Sequence, residues 1–138
     1  MSDFLLDTHV WIWYAEGVVE KLDPKTEAIV ERALREHRLY VSAVSVWEIG
    51  LLMAKSRIVL SAPVQEWIHT ATALPGLRLR PLGAGAALES TMLPDDSHGD
   101  QADRFLIAEA RVGGLTLLTS DRKILDYGKA GHVRVLAA

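Results

Sequence analysis

Residues 98–111 read HGDQADRFLIAEAR, followed by Gly113–Gly114 and the apolar run Leu115–Thr119. A polar approach becomes a helix whose first turn holds Asp100 and Asp103, and residues three apart share a helical face. Phe105, Leu106, Ile107, Ala108 and Ala110 bury the rest of that helix. The paired glycines end it, and Leu115–Thr119 reads as a buried strand that delivers another acid, Asp121. Helix then buried strand, each with acids at its end, is α/β grammar. First-turn acids are also favoured by the helix dipole, by about 0.3–1 kcal/mol each, and Asp100 reads equally well as an N-cap. Taken alone, the stretch leaves capping and chemistry both open.

The same grammar runs outward from it. Phe4–Leu6 is a short strand ending at Asp7, with Thr8 as the expected cap of an apolar, buried helix over His9–Glu16. Asp23–Pro24 opens an amphipathic surface helix through His37. Leu39–Ser42 is a second strand. Ser45 and Glu48 then have the S-x-x-E spacing of a capping box at the start of a helix through Met53. Capping is one reading of Glu48; its place just beyond a strand end is the argument for another. A helix over Val64–Ala73, a turn at Leu74-Pro75-Gly76 and a half-exposed strand Leu77–Leu82 follow, then a small-residue helix from Gly83 through Met92. Beyond Asp121, Arg122–Tyr127 forms a short helix stopped by Gly128 and Gly131, and His132–Leu136 closes as a strand. The expected fold class is α/β: a three-layer α/β/α sandwich around a mainly parallel central sheet.

Composition sets the bounds. The 138 residues, 49% hydrophobic and 24% charged, match one globular domain spanning 1–138. There is no cysteine, which removes disulfides, thiolate zinc sites and cysteine nucleophiles together. With no basic run before the first acid and no long apolar span, neither a signal peptide nor a membrane segment is expected, and a cytoplasmic location is. A net charge of −3 argues against a dedicated nucleic-acid-binding module. It leaves open an enzyme that meets nucleic acid through metal ions.

In a parallel sheet the functional residues lie beyond the carboxyl ends of the strands. Asp7, Glu48 and Asp121 each stand at or just past such an end, and Asp103 lies on the helix packed between the last two. Four carboxylates brought together repel, and stay ionised only beside a cation. All-oxygen donors favour Mg²⁺ or Mn²⁺ over Zn²⁺. Such ions activate water and stabilise a leaving oxygen at phosphorus, so hydrolysis of a phosphodiester is the chemistry indicated. Thr8, Thr119 and Ser120 adjoin the acids, as ligand-orienting groups or simply as caps and turn formers.

The segments FLLDTHVWIW, VSAVSVWEI, HGDQADRFLIAEAR and LTLLTSDRKIL, in this order, resemble the PIN-domain family across essentially the whole chain. The likeness is to the ribonuclease toxins of VapBC-type toxin–antitoxin modules. It implies an α/β/α sandwich with a Mg²⁺ or Mn²⁺ site formed by Asp7, Glu48, Asp103 and Asp121, Asp100 contributing nearby. It also implies endoribonuclease activity on an RNA substrate, homodimerisation and inhibition by a cognate antitoxin. Gly99 and Gln101 depart from the Arg and Pro common in relatives, so a basic residue facing RNA is missing. Arg104 is then a candidate phosphate contact, or an ion-pair partner of Asp100 or another acid.

Other classes fit less well. A haloacid-dehalogenase-type phosphatase needs a second acid two residues after the first, where His9 stands. A receiver domain needs adjacent acids after its first strand and a late lysine, where Asp7-Thr8 and Asp121 stand. A PIN fold that binds a partner with little turnover is the remaining alternative. His9 reads as a packing or hydrogen-bonding residue and His98 is open. His37, His69 and His132 read as surface positions. An apolar partner surface is expected on the Trp11–Tyr14 and Val46–Met53 helices.

Overall fold

The computed structural model describes residues 2–95 and 99–138, so Asp96 and His98 lie outside the described residues. Five strands, β1 Phe4–Leu6, β2 Leu39–Ser42, β3 Leu77–Arg80, β4 Thr116–Thr119 and β5 Val135–Ala137, form one sheet in the order β3-β2-β1-β4-β5. Every pairing is parallel. Among the described residues, seven α-helices connect them: α1 Thr8–Glu16, α2 Pro24–Arg35, α3 Ala43–Ala54, α4 Val64–Thr72, α5 Ala84–Glu89, α6 Gln101–Gly113 and α7 Arg122–Lys129. The chain winds outward from β1 to β3, then returns through α5 and α6 to lay β4 on the other side of β1. The reversal between β1 and β4 opens a crevice at the carboxyl edge of the sheet.

Strand alternation splits the core into two. Leu5 and Leu117 face a cluster with Leu106, Ile107, Ala110 and Ile124 from α6 and α7. Leu6, Val41 and Leu118 face the other side, with Val10, Trp11, Val30, Ile49 and Trp67. Helices cover both faces, as the expected sandwich requires. The Trp11 and Trp67 rings meet at 5.4 Å and 59°, a tilted aromatic contact that adds about 0.5–1.5 kcal/mol to their burial and pins α1 to α4.

Several boundaries move for physical reasons. Asp7, not Thr8, caps α1: its Oδ1 accepts from Thr8 N at 2.7 Å. The helix α3 opens at Ala43, with Ser42 as N-cap accepting from Val44 N. Ser45 and Glu48 are therefore inside the helix, and their spacing is not a capping box. The helix after Gly83 ends at Glu89 rather than running to Met92, and β3 ends at Arg80 ahead of Pro81. Gly128 does not stop α7, which runs on to Lys129. A Cβ there would lie 2.3 Å from Val135 Cγ2, so this glycine lets the helix press onto β5, which itself starts only at Val135. As expected, Asp23 and Pro24 open α2, and Gly114 ends α6 in the left-handed conformation.

The Leu74-Pro75-Gly76 turn is closed by Leu77 N donating to the Leu74 carbonyl at 3.1 Å. Gly76 takes φ +91°, and a Cβ on it would sit 2.1 Å from the Leu34 carbonyl oxygen. Gly17 has φ +69° but open space around it. Gly76→Ala is therefore expected to lower stability by about 2–4 kcal/mol, against about 1–2 kcal/mol for Gly17→Ala. Urea midpoints of the two variants measure the difference; equal losses would refute the close approach at Leu34.

Candidate active site

Asp7 follows β1 at the crevice and is only 8% exposed. Its Oδ1 takes the Thr8 amide, and its Oδ2 accepts from Thr119 Oγ1 at 2.6 Å. Thr119 ends β4, and its hydroxyl oxygen in turn accepts from Asp121 N at 3.0 Å. Thr119 thereby orients one acid and positions the next. Asp121 caps α7, accepting from Lys123 N and Ile124 N.

Across the crevice, Thr8 Oγ1 donates to Glu48 Oε1 at 2.6 Å and lies 2.8 Å from Ser45 Oγ. A hydroxyl has one proton; with Thr8's committed to Glu48, Ser45 must donate to Thr8. Glu48 is thus fixed by a contact between α1 and α3 that only the folded chain makes. Asp100 caps α6, accepting from Asp103 N at 3.0 Å, so the capping reading of Asp100 holds. That bond also keeps it beside Asp103.

The acids fall into two sets. Asp7 and Glu48 are tied through Thr8, while Asp100, Asp103 and Asp121 line one depression with Gly99, Arg122 and Lys123. The sets sense each other's charge: Asp121 acts on Asp7, and Asp7 and Asp100 act on Glu48. Burial raises the Asp7 carboxyl above the usual carboxylate range, against the lowering effect of its Thr119 and Thr8 hydrogen bonds. Burial likewise raises Glu48, opposed by its bond from Thr8. Among the described residues, no three acidic or imidazole side chains meet closely enough to hold one ion together. The donor chemistry nevertheless fits a hard divalent cation: oxygen ligands throughout, a desolvated carboxyl at the centre and further acids around it.

Neighbouring groups divide by role. His9 is exposed; its ring stands 6.2 Å from that of Trp13, and its charge lowers Asp7 and Glu48. Arg104 donates to the Ser90 carbonyl at 2.6 Å, tying α6 to the end of α5. His37 and His69 are exposed, as expected, but His132 is half-buried, stacked on Tyr127 and 3.1 Å from Asp95. A second buried acid, Glu109, is hidden in the sequence within the apolar stretch Leu106–Ala110. It is 1% exposed, accepts from Ser42 Oγ at 2.5 Å and lies 3.6 Å from Arg80 Nε. It faces its own cation and serves the packing of α6 on β2 and β3.

A sequence model of the PIN domain matches residues 4–130, and the chain belongs to the PIN domain family. Among its relatives, Ribonuclease VapC22 of Mycobacterium tuberculosis is 31% identical over 127 residues, covering 92% of this chain and 93% of that one. In structure the chain is similar to DNA-bound VapBC from Salmonella typhimurium, with TM-score 0.67 and 14% identity over 99% and 98% of the two chains. It is also similar to FitAcB from Neisseria gonorrhoeae, with TM-score 0.65 and 22% identity over 96% of each. These structures share its fold.

The raised carboxyl has a consequence for stability. The unfolded chain releases the Asp7 proton first, so this group's contribution is fully present below the ordinary aspartate range. It is lost as pH rises through the raised value. Asp7→Asn removes that loss while keeping an oxygen for the Thr8 amide. In EDTA the variant is expected to unfold at a higher temperature than the parent at pH 8 and at the same temperature in acid. Mn²⁺ should raise the midpoint of the parent alone. A variant less stable than the parent at pH 8 would contradict the assignment of a desolvated acid.

Proposed function

We propose that residues 1–138 act as one nuclease domain, a Mg²⁺- or Mn²⁺-dependent endoribonuclease that hydrolyses RNA phosphodiester bonds in the cytoplasm. We further propose that it is the toxin of a toxin–antitoxin pair. The observation that carries this reading is the buried Asp7 at the sheet's reversal, hydrogen-bonded to Thr119 and coupled to Glu48 on one side and Asp121 on the other. The PIN family membership and the kinship with a ribonuclease support the substrate class.

Asp7, Glu48, Asp103 and Asp121 would hold the cation, with Asp100 beside them. When bound, such an ion stabilises charge on phosphoryl oxygens and lowers the pKa of water. The chain's own residues prepare for it. Thr119 and the Thr8 amide hold the Asp7 carboxylate in place, and the Ser45–Thr8 pair holds Glu48. Asp103 and Asp121 are half-buried, and Asp121 is held by the Lys123 and Ile124 amides. Because protons compete with the cation for the raised carboxyls of Asp7 and Glu48, metal affinity rises with pH.

An antitoxin partner is supported by likeness to VapBC and FitAB complexes and by an apolar surface near the site. On α3, Trp47 is 56% exposed and Leu51 36% exposed, one turn apart on the same face. Trp13 and Ile12 of α1 line a groove with Ile58, Val59 and Leu60. Interface tryptophans are frequent hot spots, and a helix or strand with an apolar face suits this surface.

Incubation of total RNA with antitoxin-free protein is expected to yield discrete fragments with Mg²⁺ or Mn²⁺ and none with EDTA. Asp103→Asn is expected to lower the rate by roughly 10²-fold or more. Cleavage that survives both EDTA and the substitution would end the site assignment. Absence of cleavage by folded, Mn²⁺-bound protein would favour the partner-binding alternative. Trp47→Ala is expected to weaken antitoxin binding by about 2 kcal/mol, measured by calorimetry; unchanged affinity for Trp47→Ala and Leu51→Ala together would remove α3 from the interface.

A further inference from the structure

The first turn of α7 follows Asp121 directly and carries Arg122 and Lys123 with no acid. Both side chains are exposed, and neither makes an ion pair or side-chain hydrogen bond among the described residues. Most other arginines are engaged in structure: Arg38 on Asp3, Arg80 on Glu109, Arg111 on Glu89, Arg134 on the Gly114 carbonyl. A helix start is also the wrong place for cations, because its unsatisfied amides already present partial positive charge. Local stability therefore does not account for the pair. Sequences depart from local rules mainly where function demands it.

Their surroundings indicate the demand. Arg122 and Lys123 line the same depression as Asp100, Asp103 and Asp121. Its volume, about 370 Å³, lies at the small end of the range typical of ligand sites, roughly 300–1,000 Å³. A chain of net charge −3 with acids at its centre repels RNA unless cations meet the phosphates locally. Gly99, on the same depression, brings none.

We propose that Arg122 and Lys123 bind the phosphates flanking the scissile one and so lay the RNA strand across Asp103 and Asp121. This rests on the ribonuclease reading above. The guanidinium suits two phosphoryl oxygens at once, and the ammonium acts as a point charge. The rival role for the pair is charge balance, offsetting the acids with no contact to substrate.

Binding of a fluorescent single-stranded RNA of mixed sequence, in an Asp103→Asn background and in EDTA so that cleavage is suppressed, separates the two. Arg122→Ala and Lys123→Ala are each expected to weaken binding roughly fivefold at low salt. Each should also reduce the slope of log affinity against log salt by about 0.7. Arg122→Lys should keep the slope. With Asp103 intact, KM for RNA should rise while kcat at saturation holds, and Mn²⁺ affinity should be unchanged. Tighter Mn²⁺ binding with unaltered RNA affinity would overturn the proposal in favour of charge balance. Unaltered RNA affinity, salt slope and Mn²⁺ binding in a protein that still cleaves RNA would overturn it and leave the function standing. A folded, Mn²⁺-bound parent that neither binds nor cleaves RNA would overturn both.

Discussion

One hydrogen-bonded carboxyl governs the architecture of the site. Asp7 follows β1 at the reversal of the sheet, and its two oxygens tie that strand end to the start of α1 through Thr8 and to the end of β4 through Thr119. Thr119 then receives the Asp121 amide, so the placement of the last acid is relayed from the first. Thr8, whose amide Asp7 accepts, carries the hydroxyl that fixes Glu48. Desolvating a carboxyl without a cation is unfavourable, and here hydrogen bonds from the Thr8 amide and the Thr119 hydroxyl offset part of that cost.

The contrast with Glu109 sharpens the point. Both acids are buried and both accept from a hydroxyl, Thr119 for Asp7 and Ser42 for Glu109. Glu109 also faces the Arg80 guanidinium, which lowers its carboxyl against the effect of burial. Asp7 senses Asp121 instead, which adds to the effect of burial, opposed by the Thr119 and Thr8 hydrogen bonds and by the exposed His9. A buried acid beside a cation is packing chemistry; a buried acid beside another acid is a site whose charge remains to be compensated. The helix α6 carries the half-buried Asp103 in its first turn, on the acidic depression, and the buried Glu109 further along, toward β3.

Local signals made the scaffold legible. The ends of β1, β2 and β4, the Pro-Gly turn and the Gly114 terminus all follow from residues within a few positions of each other, and they put Asp7 and Asp121 where the structure has them. What escaped the sequence depends on contacts between distant residues. Ser45 and Glu48 imitate a capping box because the spacing is right, yet Ser42 has taken the cap and Glu48 answers to Thr8, 40 residues away. Gly128 imitates a helix stop because nothing nearby announces that Val135 will lie against it. Glu109 is silent because its partners come from two other strands.

The separation of these contacts along the chain also sets when the site can exist. Thr8 and Glu48 are 40 residues apart, so their half can close early. Asp7 and Thr119 are 112 apart, and β4 must insert beside β1 before they meet. A chain still emerging from the ribosome, or one cut short before residue 116, holds Asp7 and Glu48 but neither Thr119 nor Asp121. The acidic centre is completed only once β4 and the acid that follows it have been made. Asp7 therefore lacks the hydroxyl that orients it until 112 further residues have been made.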